Sequence, residues 1–232
     1  MSNYMEKSSR EAKTHTSWTE KNTKYDEALQ AFIGAAYADE EFLHDMEAFT
    51  APLIWPGRVN ALAQALLRMT APGIPDQYQG SEIWDLSLVD PDNRRPVDYD
   101  VRRKLLCEMQ KLSVAEVLSR ADEGLPKLLV THKTLTLRRD CPQAFGPKGV
   151  YAPLRARGSA EDHVLAFERG GEVAIVVPRL VLKLNGKWDD TEVELAKGSW
   201  RNVFTDEQVE GGAVRLERLF ASFPVALLTR DK

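Results

Sequence analysis

The hydrophobic period of the 232-residue chain changes near Gly146-Pro147-Lys148-Gly149, and this change limits the folds open to it. Upstream, apolar residues recur at three and four positions. Tyr25, Leu29, Phe32, Ile33 and Ala36 predict a helix over 23–38 with Thr23 and Asp26 at its start. Val59, Leu62, Ala63, Leu66 and Leu67 predict a second helix between Pro56-Gly57 and Pro72-Gly73. The stretches 101–109 and 113–121 predict two more, the latter opened by the capping box Ser113-x-x-Glu116. The stretch 125–139 predicts a further helix, although its Thr and Val residues also suit a strand. Downstream, 150–154, 163–167, 173–177, 193–195, 200–204, 213–216 and 225–228 are short β-favouring runs separated by Gly, Asp and Asn turns. They predict a compact antiparallel β-sandwich over 149–232, with a boundary near residue 148.

One helix-poor segment interrupts the upstream half. Residues 74–79 are bounded by Pro and Gly and are too short for a stable helix, which predicts a parallel strand buried on both faces. A lone parallel strand cannot make a sheet, so further chain is expected upstream. The strand runs into a polar loop carrying Tyr78, Gln79, Glu82 and Trp84. Aromatic rings beside amide and carboxylate groups suit a sugar, whose faces stack and whose hydroxyls need donors and acceptors. The alternative is that Tyr78 and Trp84 pack in the core and Glu82 forms an ion pair. Further on, Pro91 and Pro96 fix φ around Asp90, Asp92, Asn93, Arg94 and Arg95, predicting a rigid turn. Preorganised Asp and Arg groups there either bridge sugar hydroxyls at low entropic cost or pin a long loop.

Other function classes find little support. A net charge of −4 with interspersed signs gives no basic stripe, which argues against nucleic acid as a partner. No window approaches the roughly eighteen apolar residues of a membrane span, and the N-terminus lacks a signal-length apolar core, so no membrane partner is expected. Cys107 and Cys141 show no CxxC or Cys/His ligand spacing, which favours reduced thiols and a cytoplasmic location. His15, His44, His132 and His163 lie on separate segments without HExxH spacing, and GxSxG, P-loop and GxGxxG motifs are missing. The charge-rich runs 7–24 and 94–104 read as solvated helix faces.

The run from Pro72-Gly73-Ile74-Pro75 through Tyr78-Gln79-Gly80-Ser81-Glu82-Ile83-Trp84-Asp85, followed by Asp90-Pro91-Asp92-Asn93-Arg94-Arg95-Pro96, resembles the eighth-strand region of α-amylase superfamily enzymes. In this narrower form it looks like the maltooligosyl trehalose synthase family. Arg10-Glu11-Ala12-Lys13 with Thr16-Ser17-Trp18 resembles that family's helix before the last barrel repeat, and 149–154, 163–169, 178–180 and 223–228 resemble its C-terminal domain. The likeness implies an α+β chain: the C-terminal helix and strand part of a (β/α)8 barrel over 1–148, then the β-sandwich. It implies a maltooligosaccharide site with Asp90 and Arg94 on donor-side glucose units, joined by Tyr78, Gln79, Glu82, Trp84, Asp92, Asn93 and Arg95.

The family's reaction converts a reducing-end α-1,4 linkage into an α,α-1,1 linkage with retention, which requires a carboxylate nucleophile and a carboxylic acid/base. In the superfamily these come from earlier strands, and no Asp or Glu of this chain matches their motifs. The resemblance therefore implies no catalytic residue here, no cofactor or metal, and an N-terminal catalytic part as partner. Two other readings stay open: a stand-alone maltooligosaccharide-binding module, and a structural partner of a separately encoded catalytic half. An unpaired strand also predicts self-association through the truncated barrel face.

Overall fold

The computed structural model describes residues 1–87 and 96–231. These fall into two compact units, Met1–Ile54 with the short stretch from Leu86, and Trp55–Asp85 with Pro96 onward.

The first unit holds α1 (Ser2–Ala12), α2 (Thr23–Ala38) and the start of α3 (Glu40–Thr70). The cap of α2 is Asn22, whose side chain accepts the Tyr25 N–H at 3.2 Å, rather than the expected Thr23 and Asp26. Asp26 instead takes Arg10 at 2.9 Å. Arg10 also pairs with Glu6 and lies 5.0 Å over the Trp18 ring, so part of the run read as a solvated face is an ion-pair cluster. Ile33 is the buried residue of α2, while Phe32 is 71% exposed. Tyr25, Leu29 and Ala36 of the same face are half-buried, so Phe32 is the uncovered member of the face legible in the period.

Helix α3 begins at Glu40 and runs through Pro52, Pro56 and Gly57, where the sequence predicted a start after Gly57. A proline removes one rung of the helical ladder, but the turns on either side carry the helix past that loss. Its early part bears Phe42, Met46, Phe49 and Leu53 at helical spacing, all of them exposed. Its last turns are the reverse: Leu62, Leu66 and Met69 are fully buried, each worth about 1.5–3 kcal/mol of transfer free energy.

In the second unit these last turns of α3 pack with α4 (Tyr99–Met109), α5 (Val114–Ser119), α6 (Leu125–Asp140) and α7 (Pro142–Phe145). The capping box forms as the sequence predicted: Ser113 Oγ accepts the Glu116 N–H at 3.3 Å, and Glu116 Oε2 accepts the Ser113 N–H at 2.7 Å. The ambiguous 125–139 stretch is helical.

The expected strand at 74–79 does not form. Ile74 is 98% exposed, and no strand pairs with this segment among the described residues. A parallel strand exists only where neighbours supply donors and acceptors along its length, and among the described residues no strand pairs with it.

The C-terminal part is β1 (Tyr151–Leu154), β2 (Ala156–Arg157), β3 (Val164–Arg169), β4 (Val173–Pro178), α8 (Val181–Leu184), β5 (Glu192–Asn202), β6 (Gln208–Arg215), α9 (Leu216–Leu219) and β7 (Ala226–Arg230). The strands form a single antiparallel sheet in the order β1-β3-β4-β7-β5-β2, with β6 on the other edge of β5. Among the described residues there is this one sheet and not the two separate sheets expected of a sandwich. Only Arg155 separates β1 from β2, so the chain joins both ends of the strand order and the sheet nearly closes on itself. The runs 193–195 and 200–204 belong largely to one strand, β5, with a register shift between Leu195 and Ser199. Gly198 there adopts φ +127°, and a Cβ on Gly211 would lie 2.1 Å from the Ala196 carbonyl oxygen. Glycines that read as a turn instead make a bulge that bends the strand.

All six residues of β4 are buried. Val173, Ile175 and Val177 face the helices, while Ala174 and Val176 face the interior of the curled sheet with Val193, Leu195, Trp200 and Leu228. The element type changes near 148, as the period indicated, yet one core joins Leu66 and Leu125 to Ile175 and Leu227 across that point.

Candidate functional site

The candidate site is the segment from Gly73 to Asp85, anchored at four points within its own unit. Arg138 donates to the carbonyls of Met69 at 3.0 Å and Gly73 at 2.6 Å, fixing the exit from α3. Arg68 donates to Gln77 Oε1, and Gln77 Nε2 reaches Ser81 Oγ at 2.7 Å. Residues 78–81 form a turn in which the Tyr78 carbonyl accepts both the Ser81 N–H at 3.2 Å and its hydroxyl at 2.7 Å.

Arg102 of α4 makes the third anchor. Its Nη2 donates to the Gly80 carbonyl at 2.7 Å, its Nε to Glu82 Oε2 at 3.1 Å, and its Nη1 to the Asp98 carbonyl at 3.1 Å. The fourth lies at the α5–α6 connection. Trp84 Nε1 donates to the Ala121 carbonyl, and Lys127 Nζ donates to the Ile83 carbonyl at 3.0 Å. Gly124, at φ +83°, lets this connection close on the segment, since a Cβ there would lie 2.7 Å from Ile83 Cβ. Burial lowers the pKa of Lys127, helped by nearby Arg68 and opposed by Asp85 and Glu82. A partly desolvated ammonium beside two carboxylates thus stands under the loop.

The site residues read from the sequence separate into four groups. Gln79 and Glu82 come together on α4: Gln79 Oε1 accepts the Tyr99 hydroxyl at 3.3 Å, and Glu82 pairs with Arg102. Tyr78 is 44% exposed and therefore available to a ligand. Trp84 is packed against the helical core, with Arg58 and Lys127 each 6.0 Å from its ring centroid, which matches the core-packing alternative. Asp90, Asp92, Asn93, Arg94 and Arg95 lie outside the described residues.

Arg102, Tyr99, Arg68 and Lys127 are the residues that sequence reasoning missed. Arg102 fell within the run 94–104 read as a solvated face, but its side chain is 18% exposed. One signal pointed to it. Asp98 is a good helix cap, accepting the Val101 N–H at 2.9 Å, and a cap there brings the first turn of the helix against the returning loop.

The segment carries amide, hydroxyl and carboxylate groups beside the exposed Tyr78 ring, the residue types with which a protein binds a polyhydroxyl ligand. The described residues include no cluster of His, Cys, Asp and Glu able to hold a metal ion. No described helix is long and apolar enough to cross a membrane.

No family model matches the chain. Two curated relatives named putative maltooligosyl trehalose synthase, from Mycobacterium tuberculosis strains CDC 1551 / Oshkosh and H37Rv, are 40% identical over 229 residues. The match covers 98% of this chain and 28% of each relative. The structure of maltooligosyltrehalose synthase from Arthrobacter ramosus superposes with a TM-score of 0.87 at 38% identity, covering 99% of this chain and 30% of that one. A Sulfolobus tokodaii hypothetical maltooligosyl trehalose synthase gives 0.73 at 28% identity, covering 99% and 28%. The chain is similar to a C-terminal portion of these proteins and spans 28% of the length of the curated relatives it matches.

Proposed function

We propose that this chain, homologous to the C-terminal portion of maltooligosyl trehalose synthases, supplies the closing part of such an enzyme and contributes residues to its glucan site. On this reading residues 1–148 are the last helix and strand part of a (β/α)8 barrel, residues 149–232 are the C-terminal β domain, and 74–79 becomes a strand when barrel neighbours flank it. Tyr78, Gln79 and Glu82, with Asp90, Asp92, Asn93, Arg94 and Arg95, bind a maltooligosaccharide, and Trp84 braces the start of their loop. The nucleophile and acid/base come from an N-terminal catalytic part, which carries out the intramolecular transglucosylation, an isomerase reaction. Cys107 and Cys141 form no disulfide, in keeping with a cytoplasmic setting.

The observation that carries this reading is the likeness over 98–99% of the chain to proteins more than three times its length. The exposed apolar row Phe42, Met46, Phe49 and Leu53 adds to it, being a helix face that the rest of such an enzyme would cover. The test is complementation. The chain alone, incubated with maltopentaose, is expected to form neither an α,α-1,1-linked product nor glucose, whereas the chain combined with an N-terminal catalytic part is expected to form the α,α-1,1 product. Turnover by the chain alone that a substitution within it abolishes would overturn the assignment of the chemistry to the other part.

A further inference from the structure

Two stretches of the second unit, 79–82 and 97–99, meet at the start of α4. Gln79 Oε1 accepts the Tyr99 hydroxyl at 3.3 Å. Gly80, at φ +88°, sits so near Val97 that a Cβ would lie 3.2 Å from Val97 Cγ2. Between them stands Arg102, whose guanidinium spends its three nitrogens on three acceptors: the Gly80 carbonyl, the Asp98 carbonyl and the Glu82 carboxylate. Two of these acceptors lie in 79–82 and one in 97–99. The fork is largely withdrawn from solvent, with 18% of the side chain exposed and 26% of that of Glu82.

We propose that Arg102 is the positioning residue of the 79–82 stretch: it ties Gly80 to Asp98 and aims the Glu82 carboxylate, without touching sugar itself. The proposal rests on the reading that this stretch binds maltooligosaccharide. A glucan is neutral, so its affinity comes from several hydrogen bonds whose geometry must be set in advance, and any ordering left to the moment of binding subtracts from that affinity. Tying Gly80 to Asp98 fixes the direction of the Glu82 side chain before the ligand arrives. Only a planar fork can serve three acceptors in fixed directions. A lysine at this position keeps the charge but is a point donor on a flexible stem.

Two arms test this. In the chain itself, hydrogen–deuterium exchange is followed for wild type, R102K and R102A. Amides over 79–82 and 97–99 are expected to exchange roughly tenfold faster or more in both variants, the scale of losing charge-assisted hydrogen bonds, while those of α6 and β4 stay as in wild type. R102K guards against general unfolding in R102A, because it retains the aliphatic stem and the charge. If R102K protects the segment as well as wild type does, the fork geometry is irrelevant and the proposal fails. In the second arm the chain replaces the corresponding part of the Arthrobacter ramosus enzyme, and maltopentaose kinetics are measured. For R102K we expect KM to rise by about tenfold with kcat within about twofold, since preorganisation is lost and the reacting groups are intact. An unchanged KM, or a fall in kcat alone, overturns the proposal. A wild-type chimera that forms no α,α-1,1 product overturns the functional reading instead, and the exchange arm still decides whether Arg102 sets the stretch.

Discussion

Arg169 of β3 donates its Nη1 to the carbonyl of Thr70 at 3.1 Å, across 99 residues of sequence, and so joins the sheet to the last turn of α3. Arg169 is 2% exposed and has no carboxylate partner among the described residues. Its compensation is the helix end itself. The final carbonyls of a helix lack intrahelical donors and carry the negative end of the macrodipole. Arg169 and Arg138 satisfy those of Thr70 and Met69 while their guanidinium groups lie 5.8 and 5.1 Å from the Phe145 ring. Burial lowers the pKa of both, and in Arg138 the neighbouring Arg169 adds to the effect.

Arg169→Met should therefore destabilise the second unit by about 2–3 kcal/mol, the scale of a lost charge-assisted hydrogen bond that leaves a buried carbonyl unmet. Urea denaturation followed by far-UV circular dichroism measures this. Arg169→Lys should recover less than half of the loss, because one ammonium cannot span Thr70 and Gly149, which the two terminal nitrogens reach at 3.1 and 3.5 Å. A methionine variant as stable as wild type would show that sheet and helix are joined by apolar packing alone.

Local chemistry was legible in the sequence, and long-range pairing was not. The Ser113–Glu116 box, the 101–109 helix and the continuous apolar run of β4 announce themselves within a few residues, because a cap or a period is a short-range property. Strand formation at 74–79 depends on neighbours outside the segment, so its Pro and Gly boundaries could not decide it. The bulge at Gly198 divided β5 into two apparent strands, and Pro52 and Pro56 masked the early turns of α3 although Phe42, Met46, Phe49 and Leu53 kept the helical period. Within the candidate site, the polar residues of 78–84 were visible as chemistry. Arg102 was not, since nothing in a charged helix start says which guanidinium folds back onto a loop.

The capping box makes a pH prediction. Hydrogen bonds from the Ser113 hydroxyl and backbone N–H to the Glu116 carboxylate lower its pKa below the ordinary 4.5. A carboxyl whose folded pKa is depressed gives stability that is fully present above its unfolded pKa and is lost as pH falls through the folded value. Unfolding midpoints measured from pH 6 downward should therefore begin to fall near the ordinary pKa and continue below it. Glu116→Gln keeps an acceptor but cannot titrate, so its midpoint should be lower than wild type at neutral pH and less steeply dependent on pH in the acid range. Parallel acid limbs in the two proteins would assign the acid loss to other groups, of which Asp190, held low by the Ser159 N–H and hydroxyl, is the first to examine.

The exposed row on α3 predicts the behaviour of the chain when nothing covers it. Phe42, Met46, Phe49 and Leu53 follow one another at intervals of four, three and four residues, so they lie along one stripe, and they are 46, 44, 68 and 37% exposed. Phe32 of the neighbouring α2 is exposed as well. Contiguous apolar surface of this kind is uncommon on monomers, and each large side chain removed from water contributes about 1.5–3 kcal/mol. Isolated chain should consequently self-associate in a concentration-dependent way, measured by light scattering from micromolar to high micromolar protein. Phe42→Glu combined with Phe49→Glu places two carboxylates in the stripe and should return the protein to a monomer. Those residues are solvent-exposed in the monomer, so the unfolding midpoint of the second unit should hardly move. If the stripe is the face that an N-terminal catalytic part covers, the same double variant should also weaken complementation by that part, and adding the part to wild type should abolish the self-association. A wild-type chain that stays monomeric at the highest concentration would refute the stripe as a sticky face, and a charged variant that still associates would place the contact elsewhere.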